Sequence, residues 1–454
     1  MLTDICSCDV SLTRDDALEA WNGVILGVLS HGQSTGEHLT ALISSDPDFA
    51  MGHAMKGLAC LMLGRRELIA AAQAAHREMA RCLEFGGATE RERLWCLALS
   101  DWLAGRPTQS IQRMETAIQL NPADTISMKL SHGIRFMLGD NHGMLRSVER
   151  ILSAHGPSHA LYGYALGCHA FALEETGQYD KAERVGLRGL EFADDDAWGL
   201  HAVAHVYDMT HDTSRGIALI DQNMPAWSHC NNFRFHVWWH KALLHLDEGD
   251  FSTVLRLYDT KVRDEKTDDY RDFSNASSLL MRLELEGIDV GSRWVELADL
   301  AETRAEDGCL TFADMHYMLA LIGETRTDAV ARLNATVAMQ ASADDDMAAV
   351  MTTPGLAASR GLTAFGEADY GSAFAHLKVA QPDFQAMGGS HAQRDVFERL
   401  TIEAGLRAGQ LADTETLLRA RTTLRDGRED SFAAKRMSQI NELRALATST
   451  TAAE

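Results

Sequence analysis

LAGRPTQSI (103–111), MLGDNHGML (137–145), ETGQYDKAE (175–183), MTHDTSRGI (209–217) and DEGDFSTVL (247–255) decide the fold, because each reads as the turn of a helix–turn–helix unit. Set on Gly105, Gly139, Gly177, His211 and Gly249, they recur at steps of 34, 38, 34 and 38 residues. Glycine at such a place can take the left-handed conformation that ends a helix, and the polar residues after it start the next one. Only 7 of 454 residues are proline, and Ala, Leu, Met and Glu are plentiful. That composition predicts an all-α chain.

A two-helix period near 34 with small packing residues resembles the tetratricopeptide repeat, which implies an α-solenoid wound into a superhelix. The fit is best at Ala98, Gly105, Ala117 and Pro122, and again at Ala170, Gly177, Tyr179 and Ala182. Gly186 and Gly189 depart from the packing pattern, and two units are four residues longer than the period. The repeats are expected to be clearest over 88–262, within an N-terminal and central array over 1–348. C-terminal repeats follow over 349–446, in one continuous solenoid, with a disordered tail at 447–454. Between 264 and 348 helices are predicted without a clear register, and 341–355 reads as a loop or hinge.

Several longer phrases are similar to one family in particular. They are DPDFAMGHAMKGL (46–58), MKLSHGIRFMLG (128–139), DAWGLHAVAHVYDM (196–209), HVWWHKALLHLDEGDFSTVLRLYDTKV (236–262), EGIDVGSRW (286–294), FADMHYMLALIG (312–323) and GGSHAQRDVFERL (388–400). In this order they resemble the tetratricopeptide-repeat protein 38 family of bacteria and animals. The resemblance implies the repeat fold across the chain and brings no activity with it. In that family the counterpart of HCNNFRFHVWWH usually has a Cys-His pair nearer the Trp-His, so His229 and Cys230 depart from its pattern, and His391 stands where Asn is common.

The densest chemistry lies in Asp194–His245, which carries seven of the 19 histidines. His201 and His205 are four apart, as are His236 and His240, so each pair shares a helix face. In tetratricopeptide arrays the first helix of each unit lines the concave groove, mainly through the second, fifth, ninth, twelfth and thirteenth places. Counting back from the anchors puts His201, His205, Asp208 and His236 on that surface, with Trp95, Trp102, Lys129, Tyr164, Glu174, Trp198 and Trp239 around them. His240 and His245 fall in packing places and His211 in a turn. His132 occupies a place the repeat gives to a small residue, where an imidazole must find a partner.

His201, His205, His236 and Asp208 form a legitimate ligand set for a divalent metal such as zinc, which would activate a bound water. Without metal, a histidine oriented by Asp208 or Glu174 would serve as general base, with Lys129 or Tyr164 steadying negative charge. Two functions follow: a protein that binds a small molecule or peptide in this groove, or a hydrolase with these four residues as its catalytic set. HxxxH lacks the Glu of HExxH, so the spacing alone does not indicate a zinc protease. The bland alternative is that these rings fill a core.

A net charge of −23 leaves no basic stripe for nucleic acid. The eight cysteines are scattered and expected to be free, Cys6 and Cys8 beside a frayed terminus. Acidic residues stand where a signal peptide needs basic and apolar ones, which predicts a cytoplasmic protein; no apolar stretch suits a membrane span, and a homo-oligomer is compatible with the sequence.

Overall fold

In the computed structural model, which describes residues 1–84 and 86–451, all five turn anchors are left-handed. Their φ values are 76° at Gly105, 67° at Gly139, 76° at Gly177, 56° at His211 and 75° at Gly249. The residue after the anchor then caps the second helix: Asp140 accepts from the Gly143 N–H at 2.9 Å, and Asp250 from that of Thr253 at 3.2 Å. These local devices produce consecutive antiparallel pairs. Glu90–Leu103 precedes Pro107–Leu120, Thr125–Met137 precedes Asn141–Ile151, and Tyr162–Glu174 precedes Tyr179–Leu190. Ala197–Met209 is followed by Thr213–Gln222, and Phe233–Asp247 by Phe251–Leu257. The chain is all-α and tetratricopeptide-like, its only strands among the described residues being the two-residue pair Leu2–Thr3 and Asp9–Val10.

The pairing continues where the sequence showed no register: Tyr270–Leu285 with Arg293–Arg304, then Thr311–Gly323 with Thr327–Gln340. Gly287 and Thr325 are left-handed at those turns, but without the flanking residues that marked the earlier ones. The expected hinge at 341–355 holds a short helix, Asp346–Val350, and is seated: the Asp346 N–H donates to the Gly105 carbonyl at 2.9 Å. Nor is the N-terminus frayed. Asp4 accepts from the Cys6 and Cys8 amides, from Trp21 Nε1 and from Arg91, which burns its charge against Asp124 as well and buries both thiols. All eight cysteines are free. The last helix is Ser431–Thr451, so part of the tail expected to be disordered is helical, and 452–454 lie outside the described residues.

The superhelix closes on itself. Its first connection meets the middle of the chain, where the Asn231 N–H donates to the His31 carbonyl at 2.8 Å. Its late repeats cross the early turns: Gln385 Nε2 donates to the Gly139 carbonyl at 2.8 Å, the His391 amide to Glu175 at 2.8 Å, and Tyr179 Oη to the Leu424 carbonyl at 2.7 Å. Buried Arg425 reaches Asp208 at 3.1 Å, and the Ser431 amide donates to Asp247 at 3.0 Å. No described helix is long and apolar enough to cross a membrane.

Two glycines with the same turn conformation separate local from long-range effects. Nothing lies within 4 Å of a Cβ added to Gly177, whereas one added to Gly139 collides with the Gln385 carbonyl. Gly177→Ala should therefore lose only the left-handed penalty, about 1–2 kcal/mol. Gly139→Ala should lose roughly 1–3 kcal/mol more through overpacking. Urea denaturation of both variants measures the difference, and equal losses would refute the packing of the Gln385 segment on that turn.

Candidate metal centre

Ala197–Met209 and Phe233–Asp247 are neighbouring first helices of successive units, each with a histidine pair one turn apart on the facing side. All four Nε2 atoms meet. His205 Nε2 is 2.9 Å from His201 Nε2, His201 Nε2 is 2.9 Å from His236 Nε2, and His236 Nε2 is 3.1 Å from His240 Nε2. Four ligand atoms, one from each ring, lie within 4.8 Å of one another. His201, His205 and His240 are buried, and aromatic rings fix the set: Trp239 stacks on His236 at 5.2 Å and Phe171 on His201 at 5.5 Å.

Protons do not hold this cluster together. Burial pushes all four imidazoles below the ordinary histidine range, His236 to about 4, and neighbouring rings add to the effect at His201, His205 and His240. At neutral pH the rings are uncharged. His236 Nδ1 donates to Asn275 Oδ1 at 2.9 Å, which leaves its Nε2 as a lone pair. That lone pair faces two other Nε2 atoms, and within the chain of contacts two rings can donate through Nε2 and two accept. A cation would instead take all four Nε2 lone pairs as ligands, with Nδ1 of His201, His205 and His240 left as buried N–H groups. Nitrogens placed tetrahedrally at zinc–nitrogen distances of about 2.0–2.1 Å stand roughly 3.3 Å apart, against 2.9, 2.9 and 3.1 Å for the three neighbouring Nε2 pairs here. The buried four-histidine group can hold a metal.

Outside it, His205 Nδ1 faces Glu174 Oε2 at 3.6 Å. Neither Glu174 oxygen has a hydrogen-bond partner, and burial, with Glu175 and Asp208 nearby, pushes this carboxyl well above the usual range. A carboxylate behind a ligating imidazole is the usual device for fixing its tautomer and raising its basicity.

On the inner side the centre borders a cavity of about 260 Å³. His201 and His236 line it, with Lys129, His132, Trp198 and Phe233. His31 and Met55 come from the first helices, Arg271 and Phe312 from the middle of the chain, and Met387, Gly389 and Gln393 from the late repeats. The concave groove is thus a partly open chamber, walled by early, middle and late elements of the chain.

The structure brings together His201, His205 and His236, with Glu174 behind them, and sets Lys129 and Trp198 in the same chamber. Asp208 is not with them. It lies one turn beyond His205 at the helix end, where it pairs with Arg425 from the late repeats. His240 takes the fourth place instead, its ring 4.3 Å from that of His205. The plain HxxxH spacing contained that signal; the groove rule, made for open arrays, sent His240 to packing. Trp95 is core, its Nε1 donating to Ser127 Oγ at 2.8 Å. Tyr164 donates to Asp195 at 2.6 Å and does not line the cavity. Trp102 lines a separate depression near Gly105, and Trp239 is wholly buried behind His236. Asn275 and His31 escaped sequence reasoning: Asn275 lies on Tyr270–Leu285, where no register was legible, and His31 is brought near by the contact of the first connection with Asn231.

No protein-family model matches the chain. Solved structures similar to it include yeast Tom70, at 13% identity over 95% of this chain and 88% of that one, with a TM-score of 0.37. Naa15/Naa10 bound to HypK-THB is similar at 14% identity over 95% of this chain and 68% of that chain, with a TM-score of 0.24. The P58(IPK) TPR domain is similar at 12% identity over 79% and 99%, with a TM-score of 0.23. At such values nothing of those proteins transfers to this chain, and the repeat assignment rests on its own helix pairs and turns.

Proposed function

We propose that this chain is a member of the tetratricopeptide-repeat protein 38 family that binds one divalent first-row metal, such as zinc, through His201, His205, His236 and His240, and takes a small molecule into the chamber beside it. The convergence of four neutral Nε2 atoms carries the reading. A small molecule fits better than a peptide, because late repeats cross the groove that a peptide would occupy. The chamber is near the lower end of small-molecule sites, about 300 Å³.

A hydrolytic role is the second reading, favoured by one observation: only His201 and His236 of the four ligands line the chamber. A metal held there has its other two ligands behind it and a cavity-facing side on which a fifth ligand, water or substrate, can enter. Coordination by four imidazoles otherwise fills a tetrahedron, which is the arrangement of a site that binds without turning over.

Elemental analysis should find one metal per chain, lost in His201→Ala, His236→Ala and His240→Ala and kept in Asp208→Asn. Metal retained in the three histidine variants, each checked for folding by circular dichroism, sinks the centre. Glu174→Gln should weaken metal binding about 10- to 100-fold in competition with a chelator, the usual effect of losing a carboxylate behind a ligating histidine; unchanged affinity would leave Glu174 with no part in the centre. For the hydrolytic reading, cobalt(II)-loaded protein should change its visible spectrum when azide is added. A spectrum indifferent to azide means a closed four-coordinate metal and rules out water activation there.

A further inference from the structure

His132, out of place in the repeat pattern, is 1% exposed, and neither of its ring nitrogens has a hydrogen-bond partner in the protein. It lines the chamber. One turn earlier on the same helix, Lys129 lines it too, with Nζ 4.4 Å from the centre of the Trp198 ring. The ammonium feels Asp196 and the Cys168 thiol, yet forms no ion pair with any described carboxylate. Trp198 Nε1 is also buried without an acceptor. His31, stacked on Trp198 at 5.7 Å, leaves its Nε2 unpartnered as well. Unpaired buried donors are costly, and here several gather on one wall.

The other charged groups of the cavity wall already have hydrogen-bond partners. Arg271 is held by Asp269 at 2.8 and 2.5 Å, and Asp272 accepts from Thr267 at 2.6 Å and from Asn232 at 3.3 Å. Lys129 is thus the cation of the wall that no described carboxylate pairs at hydrogen-bonding distance. Apolar groups, among them Val28, Met55, Met62, Phe136, Phe233 and Phe312, make most of the remaining wall.

Resting on the chamber reading above, we propose that the ligand is a monocarboxylate with an apolar body, its carboxylate bound by Lys129, Trp198 and His132. Lys129 supplies three N–H donors, and Trp198 and neutral His132 one each, enough for the two oxygens of a carboxylate. One positive charge balances one negative charge. A phosphate dianion would leave a buried charge unmatched, in a chain of net charge −23. The Trp198 ring lies 5.1 Å from the His201 ring and 4.4 Å from Lys129 Nζ, so about one indole separates the anion anchor from the four-histidine centre. The carbons next to the carboxylate therefore face the metal ligands, and the apolar body extends along the methionine and phenylalanine wall.

Calorimetric titration of the full chain with 3-phenylpropanoate, octanoate and the neutral 3-phenylpropan-1-ol tests this. Both acids should bind about 10-fold or more tighter than the alcohol, the usual worth of a hydrogen bond to a charged group. Lys129→Met should erase that preference while leaving alcohol binding and the melting curve unchanged, and Lys129→Arg should keep most of it. Acid and alcohol binding equally, a preference that survives Lys129→Met, or no binding by any probe would overturn the proposal. The same titrations on metal-free His240→Ala protein separate the two readings, since His240 does not line the chamber. A preference for acid that persists there and still depends on Lys129 supports the anion anchor whatever becomes of the metal. Acid binding that needs metal and ignores Lys129 puts the carboxylate on the metal and overturns the anchor.

Discussion

Two adjacent buried carboxylates, Glu174 and Glu175, are the constraint that links the closure to the four-histidine cluster. They stand at the C-terminal end of Tyr162–Glu174, where the helix dipole disfavours negative charge and burial removes water. Glu175 is satisfied from outside its repeat, by Asn141 at 2.9 Å, the His391 amide at 2.8 Å and Arg394 at 3.3 Å. Its neighbour turns the other way and finds only His205. The late repeats are thus fastened by the first carboxylate at a place that buries the second. A divalent cation on the far side of His205 would supply positive charge near Glu174, which faces the other nitrogen of that imidazole at 3.6 Å.

Much of the fold is legible in the sequence because it is local. A left-handed residue followed by a capping Asp depends on a few neighbours in the chain, so the Gly139 and Gly249 turns can be read directly. Thr325 makes the same turn without either signal, and its repeat is silent in sequence. The candidate site is half legible for a related reason. The spacing of four puts His201 with His205 and His236 with His240, which is helix geometry. Which face meets which is not. That Asp208 turns to Arg425, 217 residues later, follows from the crossing of the late repeats over the early ones, and that His240 faces His205 follows from how two neighbouring first helices pack. His132 reads as an anomaly for the same reason: the groove that should be open to water at that place is roofed.

Closure changes what a concave repeat surface can do. An open groove is wet, and its charged and polar side chains are screened by water, so affinity has to come from area. In the chamber, methionine, phenylalanine and tryptophan make much of the wall, and polar groups set among them interact through a lower effective dielectric than on an open surface. Four imidazoles there stay neutral and ready to ligate without competition from protons, and an unpaired ammonium such as Lys129 becomes a strong demand for an anion. The same crossing segments set an upper limit on size: a ligand that extends past Gly389 or His31 meets the backbone of the protein itself. On the proposed function, selection for small ligands would therefore be imposed by the path of the chain, before any side chain distinguishes one ligand from another.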